Sequence, residues 1–258
     1  MTTSAVRIGL LYPELLGTYG DRGNALVLER RLAWRGMPAE LVEVRAGTPV
    51  PASLDVYVLG GGEDAAQAAA GSALRESAAT LGAARDAGAA CLAVCAGFQL
   101  LGERYVGVDG APVAGLGLID AETVAGPRRC VGECVVDPAG GGGEGAGLPL
   151  LTGFENHAGR TVLGPGVQPL GTVRLGAGNG NGVDGAIGER LVATYLHGPV
   201  LARNPALADL ILSWIVGALP ALDDEIVLRL RAERLRSQGR TLPQLRRRRR
   251  QRRSGSVA

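Results

Sequence analysis

Cys91-Leu92-Ala93-Val94-Cys95-Ala96-Gly97-Phe98-Gln99-Leu100-Leu101-Gly102 decides how the rest of the chain is read. Small and β-branched apolar residues lead up to Cys95, Ala96 and Gly97 follow it, and 98–101 has helix-forming character. The pattern is strand, tight turn, helix, with the thiol at the turn. A turn of this kind pushes a nucleophile out of its sheet. Amides at the start of the next helix favour thiolate and a developing oxyanion. The same pattern suits a small thiol buried at the end of a core strand, since cysteine is among the most buried residue types. The segment alone divides evenly between the two.

Two distant segments shift the balance. The apolar run Asp55-Val56-Tyr57-Val58-Leu59 ends in Gly60-Gly61-Gly62, followed by Glu63-Asp64. Three glycines at a strand end let backbone amides approach a ligand closely. The run Thr194-Tyr195-Leu196-His197-Gly198-Pro199 closes another apolar stretch and carries one of only 2 histidines in the chain. A thiol needs a neighbouring base to ionise near neutral pH. His197 is the candidate, set against a hydrogen-bonded histidine at a strand end.

Working outward, strands are expected at 6–12, 40–44, 56–59 and 90–94. A helix is expected over 24–35, with Leu26, Leu28, Leu32 and Trp34 as its apolar positions and Gly36 as its end. The alanine-rich stretch 64–87 holds one long helix or two shorter ones. Alternating strands and helices imply an α/β fold with a parallel sheet and right-handed crossovers. Ligands then bind at the carboxyl ends of the strands, where the glycine turn, Cys95 and His197 fall. Shorter strands are expected within 116–133 and 153–163, a mobile low-complexity loop at 139–147, and a hairpin tip at 177–185. Helices are expected at 205–217 and 223–238.

GGGED, AVCAGFQLLG, GFENHAGRT and YLHGP, in this order, resemble the class I, triad-type glutamine amidotransferases of the CobB/CobQ-like branch. The opening LYPELLGTYGDRGN (11–24) is similar to that of the glutaminase subunits of lipid II isoglutaminyl synthases. The resemblance covers roughly 6–218 and implies a flavodoxin-like sheet with helices on both faces. It implies that Cys95 attacks the side-chain amide of glutamine and that His197 activates the thiol and protonates the leaving ammonia. Amides near Gly61, Gly62 and Ala96 would hold the oxyanion. Gln99 and the Glu155-Asn156-His157 loop would lie beside the glutamine. Arg129 matches a substrate-handling arginine, with Arg128 one step away in register.

One position departs from the family. Many class I members carry a glutamate two residues after the histidine, and here that residue is Pro199. Asp21 is the candidate replacement, but a turn residue capping the next helix is the favoured reading of its side chain. GGGED lacks the Lys-Ser/Thr of a phosphate-binding loop, so the chain generates ammonia without activating an acceptor. The resemblance therefore implies a MurT-like ligase subunit that uses ATP and magnesium and amidates D-glutamate in lipid II, with no cofactor in this chain. The alternatives are a cobyrinate-type acceptor, a cysteine hydrolase of another amide, and a non-catalytic scaffold.

Composition fits a cytoplasmic enzyme. Hydrophobic residues make up 46% of the chain. No apolar run reaches bilayer length, and no secretory signal is expected. The 4 cysteines are too few for a disulfide scaffold and suit a reducing compartment. Cys130 and Cys134 read as ordinary side chains, and no metal site is expected. Every basic residue is arginine. Removing the 7 arginines between Arg246 and Arg253 leaves 20 basic against 25 acidic residues, a net charge of −5. Such a block repels itself and is expected to be disordered. It reads as a solvated extension or as a contact for the anionic inner leaflet; no nucleic-acid partner is expected. The expected layout is an amidotransferase domain over 1–218, a helical extension over 219–242, and an arginine-rich tail over 243–258.

Overall fold

The apolar runs that end at Leu11, Leu59, Val94 and Thr194 lie side by side in one sheet. In the computed structural model, which describes residues 4–107, 109–138, 143–145 and 147–238, the early strands are β1 (Val6–Leu11), β2 (Ala39–Val44), β3 (Val56–Leu59) and β4 (Ala90–Val94). Two late strands, β11 (Ala186–Gly188) and β12 (Leu191–Thr194), join them. The order is β11-β12-β4-β3-β1-β2, parallel throughout except between β11 and β12. This is the flavodoxin-like winding order with one added edge strand. Every residue of β3 and β12 is buried. Parallel strands covered on both faces read as continuous apolar runs, which is why they were legible.

Helices α1 (Arg22–Ala33), α2 (Asp64–Arg75), α3 (Ala78–Asp86) and α4 (Ala96–Leu101) follow β1, β3 and β4. The 64–87 stretch is therefore two helices. In α1 the apolar positions need correcting. Ala25, Leu28 and Leu32 are buried, whereas Leu26 is exposed and Trp34 lies beyond the helix as its exposed C-cap.

The middle of the chain builds a second six-stranded sheet, which the expected short strands did not convey. It comprises β5 (Arg104–Val106), β6 (Pro112–Ala114), β7 (Ala121–Asp137), β8 (Leu151–Leu163), β9 (Gly171–Leu175) and β10 (Val183–Asp184). β7 and β8 pair antiparallel, with the register shifting between Ala125 and Cys130. Gly126-Pro127-Arg128-Arg129 breaks the alternation that announces a strand, and an irregularity in the ladder absorbs it. One isolated bridge ties the sheets together. Phe154 N–H donates to His197 O (3.0 Å) and His197 N–H donates to Phe154 O (2.8 Å).

Helices α5 (Val200–Arg203), α6 (Pro205–Val216) and α7 (Glu225–Gln238) complete the described chain. It divides into a unit ending at Leu222 and one starting at Asp223, which holds α7. Of the low-complexity loop, Gly143–Gly145 forms a 3-10 turn, and most of the rest lies outside the described residues, as does the arginine tail. No helix among the described residues is long and apolar enough to cross a membrane.

Candidate active site

Cys95 sits where β4 turns into α4, with φ +53° and ψ −102°. That backbone conformation costs a non-glycine residue on the order of 1–3 kcal/mol. Three hydrogen bonds impose it. Cys95 N–H donates to Thr194 O (2.9 Å), Gln99 N–H to Cys95 O (3.1 Å), and Gly97 N–H to Gly60 O (3.1 Å). The first bond ties Cys95 to β12, and the third ties the start of α4 to the glycine turn. Gly97 has to be glycine, because a Cβ there would lie 2.8 Å from Leu59 Cβ and 2.9 Å from Leu59 O.

His197 leaves the end of β12 fully buried, and its Nδ1 lies 3.2 Å from Asp21 Oδ2. Burial works to lower the imidazole pKa. Asp21 and the adjacent Cys95 outweigh it and hold the pKa above the usual histidine range. Nε2 is buried and has no hydrogen-bond partner among the described residues. Asp21 is inaccessible to solvent and does not cap α1 with its side chain. The capping reading thus fails: the chain leaves β1 through Tyr12 at φ +49° and returns to place Asp21 against His197. Pro199 packs against Gly23; a Cβ on Gly23 would collide with its ring. Asn24 braces the same corner, its Oδ1 accepting from Leu201 N–H (3.0 Å).

The glycine turn serves a use that its sequence did not suggest. A Cβ on Gly60 would collide with Leu16 O, and one on Gly62 would come 2.7 Å from Leu15 O. A Cβ on Gly61 would sit 2.6 Å from His197 Cε1. The turn is bare so that the 12–21 loop and the imidazole can close over it. Gly61 N–H donates to Asp21 Oδ2 at 2.8 Å, so it is engaged with the carboxylate and not open to an oxyanion. The amides of Gly62 and Ala96 make no such bond among the described residues.

Gln99 is buried in a polar chain. Its Oε1 accepts from Gln67 Nε2 (2.9 Å), and its Nε2 donates to Tyr195 Oη (3.2 Å). Tyr195 continues to Thr161 (2.6 Å), and Thr161 to Thr123 (2.9 Å). His157 stacks on Tyr195 with ring centroids 3.9 Å apart and lies 3.5 Å from Glu155. Glu155 accepts from Ala177 N–H (2.9 Å) and Gly178 N–H (3.0 Å). Burial would raise its pKa, but His157 and those two amides outweigh burial and hold it below the usual carboxylate range. The 177–185 hairpin is thus pinned from inside. Gln67 and Tyr195 escaped the sequence reading because no local spacing links them to Gln99.

Above the imidazole the groups become polar and more exposed. Tyr19 lies over His197 with ring centroids 4.5 Å apart. Its hydroxyl donates to Glu63 Oε1 (3.0 Å) and accepts from Asn156 Nδ2 (2.9 Å). Arg129 Nε donates to Asn156 Oδ1 (2.7 Å). The structure therefore brings Arg129 and Asn156 to one rim and adds Tyr19 and Glu63, while Arg128 is exposed and uses its carbonyl to accept from Arg160. The other thiols lie away from His197. Burial pushes Cys91 up to about 12 and raises Cys134 further, and Cys130 accepts from Arg160 Nη2.

Residues 7–205 match the CobB/CobQ-like glutamine amidotransferase domain. Over 77% of its length the chain is 34% identical to the lipid II isoglutaminyl synthase (glutamine-hydrolyzing) subunit GatD of Staphylococcus aureus, covering 79% of that protein. Identity to the GatD subunit of Streptococcus pneumoniae is 31%, over 79% of this chain and 77% of that one. A cobyric acid synthase of Sphingopyxis alaskensis is 33% identical over 68% of the chain, which spans only 35% of that enzyme. Among solved structures, a glutamine amidotransferase superimposes with a TM-score of 0.54 at 22% identity, over 82% of this chain and 100% of that one, a likeness of fold. With the thiol elbow, the buried histidine and the doubly wound sheet in place, the chain belongs to the CobB/CobQ-like glutamine amidotransferase family.

Proposed function

We propose that the chain is the glutamine-hydrolysing subunit of a lipid II isoglutaminyl synthase. The observation that carries the chemistry is the buried Asp21–His197 pair beside a thiol held on a strained turn. The proton shared by Cys95 and His197 rests on the imidazole, and the thiolate attacks the side-chain carbonyl carbon of glutamine. Ala96 and Gly62 amides receive the oxyanion; such a donor typically contributes roughly 3 kcal/mol to the transition state. His197 returns the proton to the leaving nitrogen as ammonia departs. Water, deprotonated by His197, then cleaves the thioester and releases glutamate. Asp21 orients the imidazole and stabilises its charged form. Gln99 and His157 shape the wall of the site, and Arg129 and Asn156 bind the substrate's polar end.

The acceptor reading rests on likeness to GatD subunits over more than three-quarters of both chains. The cobyric acid synthases match this chain over only 22% to 35% of their own length, so a cobyrinate-type acceptor is the weaker reading. The partner is a MurT-like ligase that supplies ATP and magnesium and amidates the α-carboxylate of D-glutamate in lipid II. The arginine tail, outside the described residues, is proposed to touch the anionic inner leaflet from the cytoplasmic side.

The test is co-purification from the native host, followed by assays of glutamine hydrolysis and lipid II amidation. Cys95→Ser should abolish glutamine-dependent amidation and leave ammonia-dependent amidation intact. Loss of both would make Cys95 structural, and glutamine hydrolysis without lipid II amidation would point to another acceptor.

A further inference from the structure

Glutamine carries two charges that the thiol chemistry does not use, an α-carboxylate and an α-ammonium. Arg129 and Asn156 answer the first. The cation needs an acid at the same rim, and buried Asp21 already serves His197. Glu155 is also buried, spent on His157 and the 177–178 amides. Glu63 is exposed, and its carboxylate meets the hydroxyl of Tyr19 at 3.0 Å. That same hydroxyl accepts from Asn156, which holds Arg129. Glu63 also lies two residues past Gly61, whose Cα backs directly onto the His197 ring. The acid and the cation thus flank one aromatic ring that lies over the imidazole.

We propose that Glu63 is the specificity-determining residue for the α-ammonium of glutamine, and that the Tyr19 hydroxyl occupies that position until substrate arrives. The exchange replaces a neutral donor by a charged one, and charge-assisted hydrogen bonds are the stronger kind. Burial and the Glu63 carboxylate keep the Tyr19 phenol protonated, with Arg129 opposing them, so it remains a donor to Glu63. The proposal rests on glutamine being the substrate of this site. It says which part of that molecule the rim reads. Asp64 is the neighbouring acid at the start of α2 and serves as the control.

The experiment compares glutamine with glutaramate, which is glutamine without its α-amino group, using the chain in complex with its ligase partner. The unsubstituted complex should prefer glutamine by about tenfold or more in kcat/KM, the size of one charge-assisted hydrogen bond. Glu63→Gln should raise KM for glutamine by about tenfold, leave glutaramate hydrolysis nearly unchanged, and bring the ratio toward one. Asp64→Asn should keep the ratio. A Glu63→Gln variant that loses both substrates equally, or keeps the original ratio, overturns the assignment. Hydrolysis of glutamine intact but indifferent to the α-amino group overturns it while leaving the glutaminase reading standing. Failure to hydrolyse glutamine at all overturns both.

Discussion

Asp21 and His197 are 176 residues apart in sequence and 3.2 Å apart in space, the contact on which the proposed acid–base chemistry rests. The carboxylate accepts from the Gly61 amide as well, so its orientation is fixed from two directions. Asp21→Asn should leave the fold in place and slow alkylation of Cys95 by iodoacetamide at pH 7 by about tenfold or more, because the imidazolium loses its counter-charge. An unchanged rate would leave Asp21 as a structural turn residue. Stability should respond too. The folded pKa of His197 is raised above its ordinary 6.5. The native state therefore binds a proton that the unfolded state releases, and stability falls as pH rises through that window. The contribution is complete below about pH 6.5 and lost as pH passes the raised value. Denaturant titrations from pH 6 to pH 10 should show this decline, and Asp21→Asn should flatten it.

At the scale of elements, the central strands were legible because sheets covered on both faces leave unbroken apolar runs, and β3 and β4 fall where 56–59 and 90–94 were expected. Cys95 and His197 were legible because each ends such a run. Of the second sheet, β8 falls where a strand was expected at 153–163 and the β9–β10 connection where a hairpin tip was expected at 177–185, but the rest was not legible, since three-residue strands such as β5 and β6 carry no period and β7 is interrupted at Gly126-Pro127. Asp21 was a candidate that the sequence could not separate from a cap, since a turn aspartate looks alike whether it caps a helix or reaches across the molecule. Glycine runs mislead in a related way. They announce close approach without saying what approaches, and at Gly60 and Gly62 it is the backbone of Leu15 and Leu16. Gly60→Ala should accordingly lower stability by about 1–3 kcal/mol, as overpacking does, read as a fall in Tm. Glu155→Gln should cost about 2 kcal/mol at neutral pH, the scale of hydrogen bonds to a charged group. Because the Glu155 pKa is lowered, its contribution is present above its ordinary 4.5 and lost as pH falls through the folded value. The variant and the unsubstituted protein should converge in acid, and a constant gap would place the effect in packing.

For the whole molecule the decisive quantity is the distribution of charge. The net charge of +2 combines 7 arginines in the last 13 residues with a remainder at −5. No contribution of the tail to catalysis is expected, because Cys95, His197 and Asp21, the groups proposed to do the chemistry, all lie in the unit that ends at Leu222. Deleting residues 245–258 should therefore leave glutamine hydrolysis by the complex within about twofold, the range of a surface change. Membrane affinity is the property that should move. Each arginine near an anionic surface contributes on the order of 1 kcal/mol, and the attraction decays within a Debye length of about 8 Å at physiological salt. Sedimentation with vesicles containing anionic lipid should show binding at low salt that weakens steeply as salt rises and vanishes in the deletion. The remainder's negative charge would be repelled by the same surface, so the truncated chain should bind less than a neutral protein of its size. Vesicle binding that survives the deletion, or that ignores salt, would remove the tail from the membrane and leave it a solvated extension.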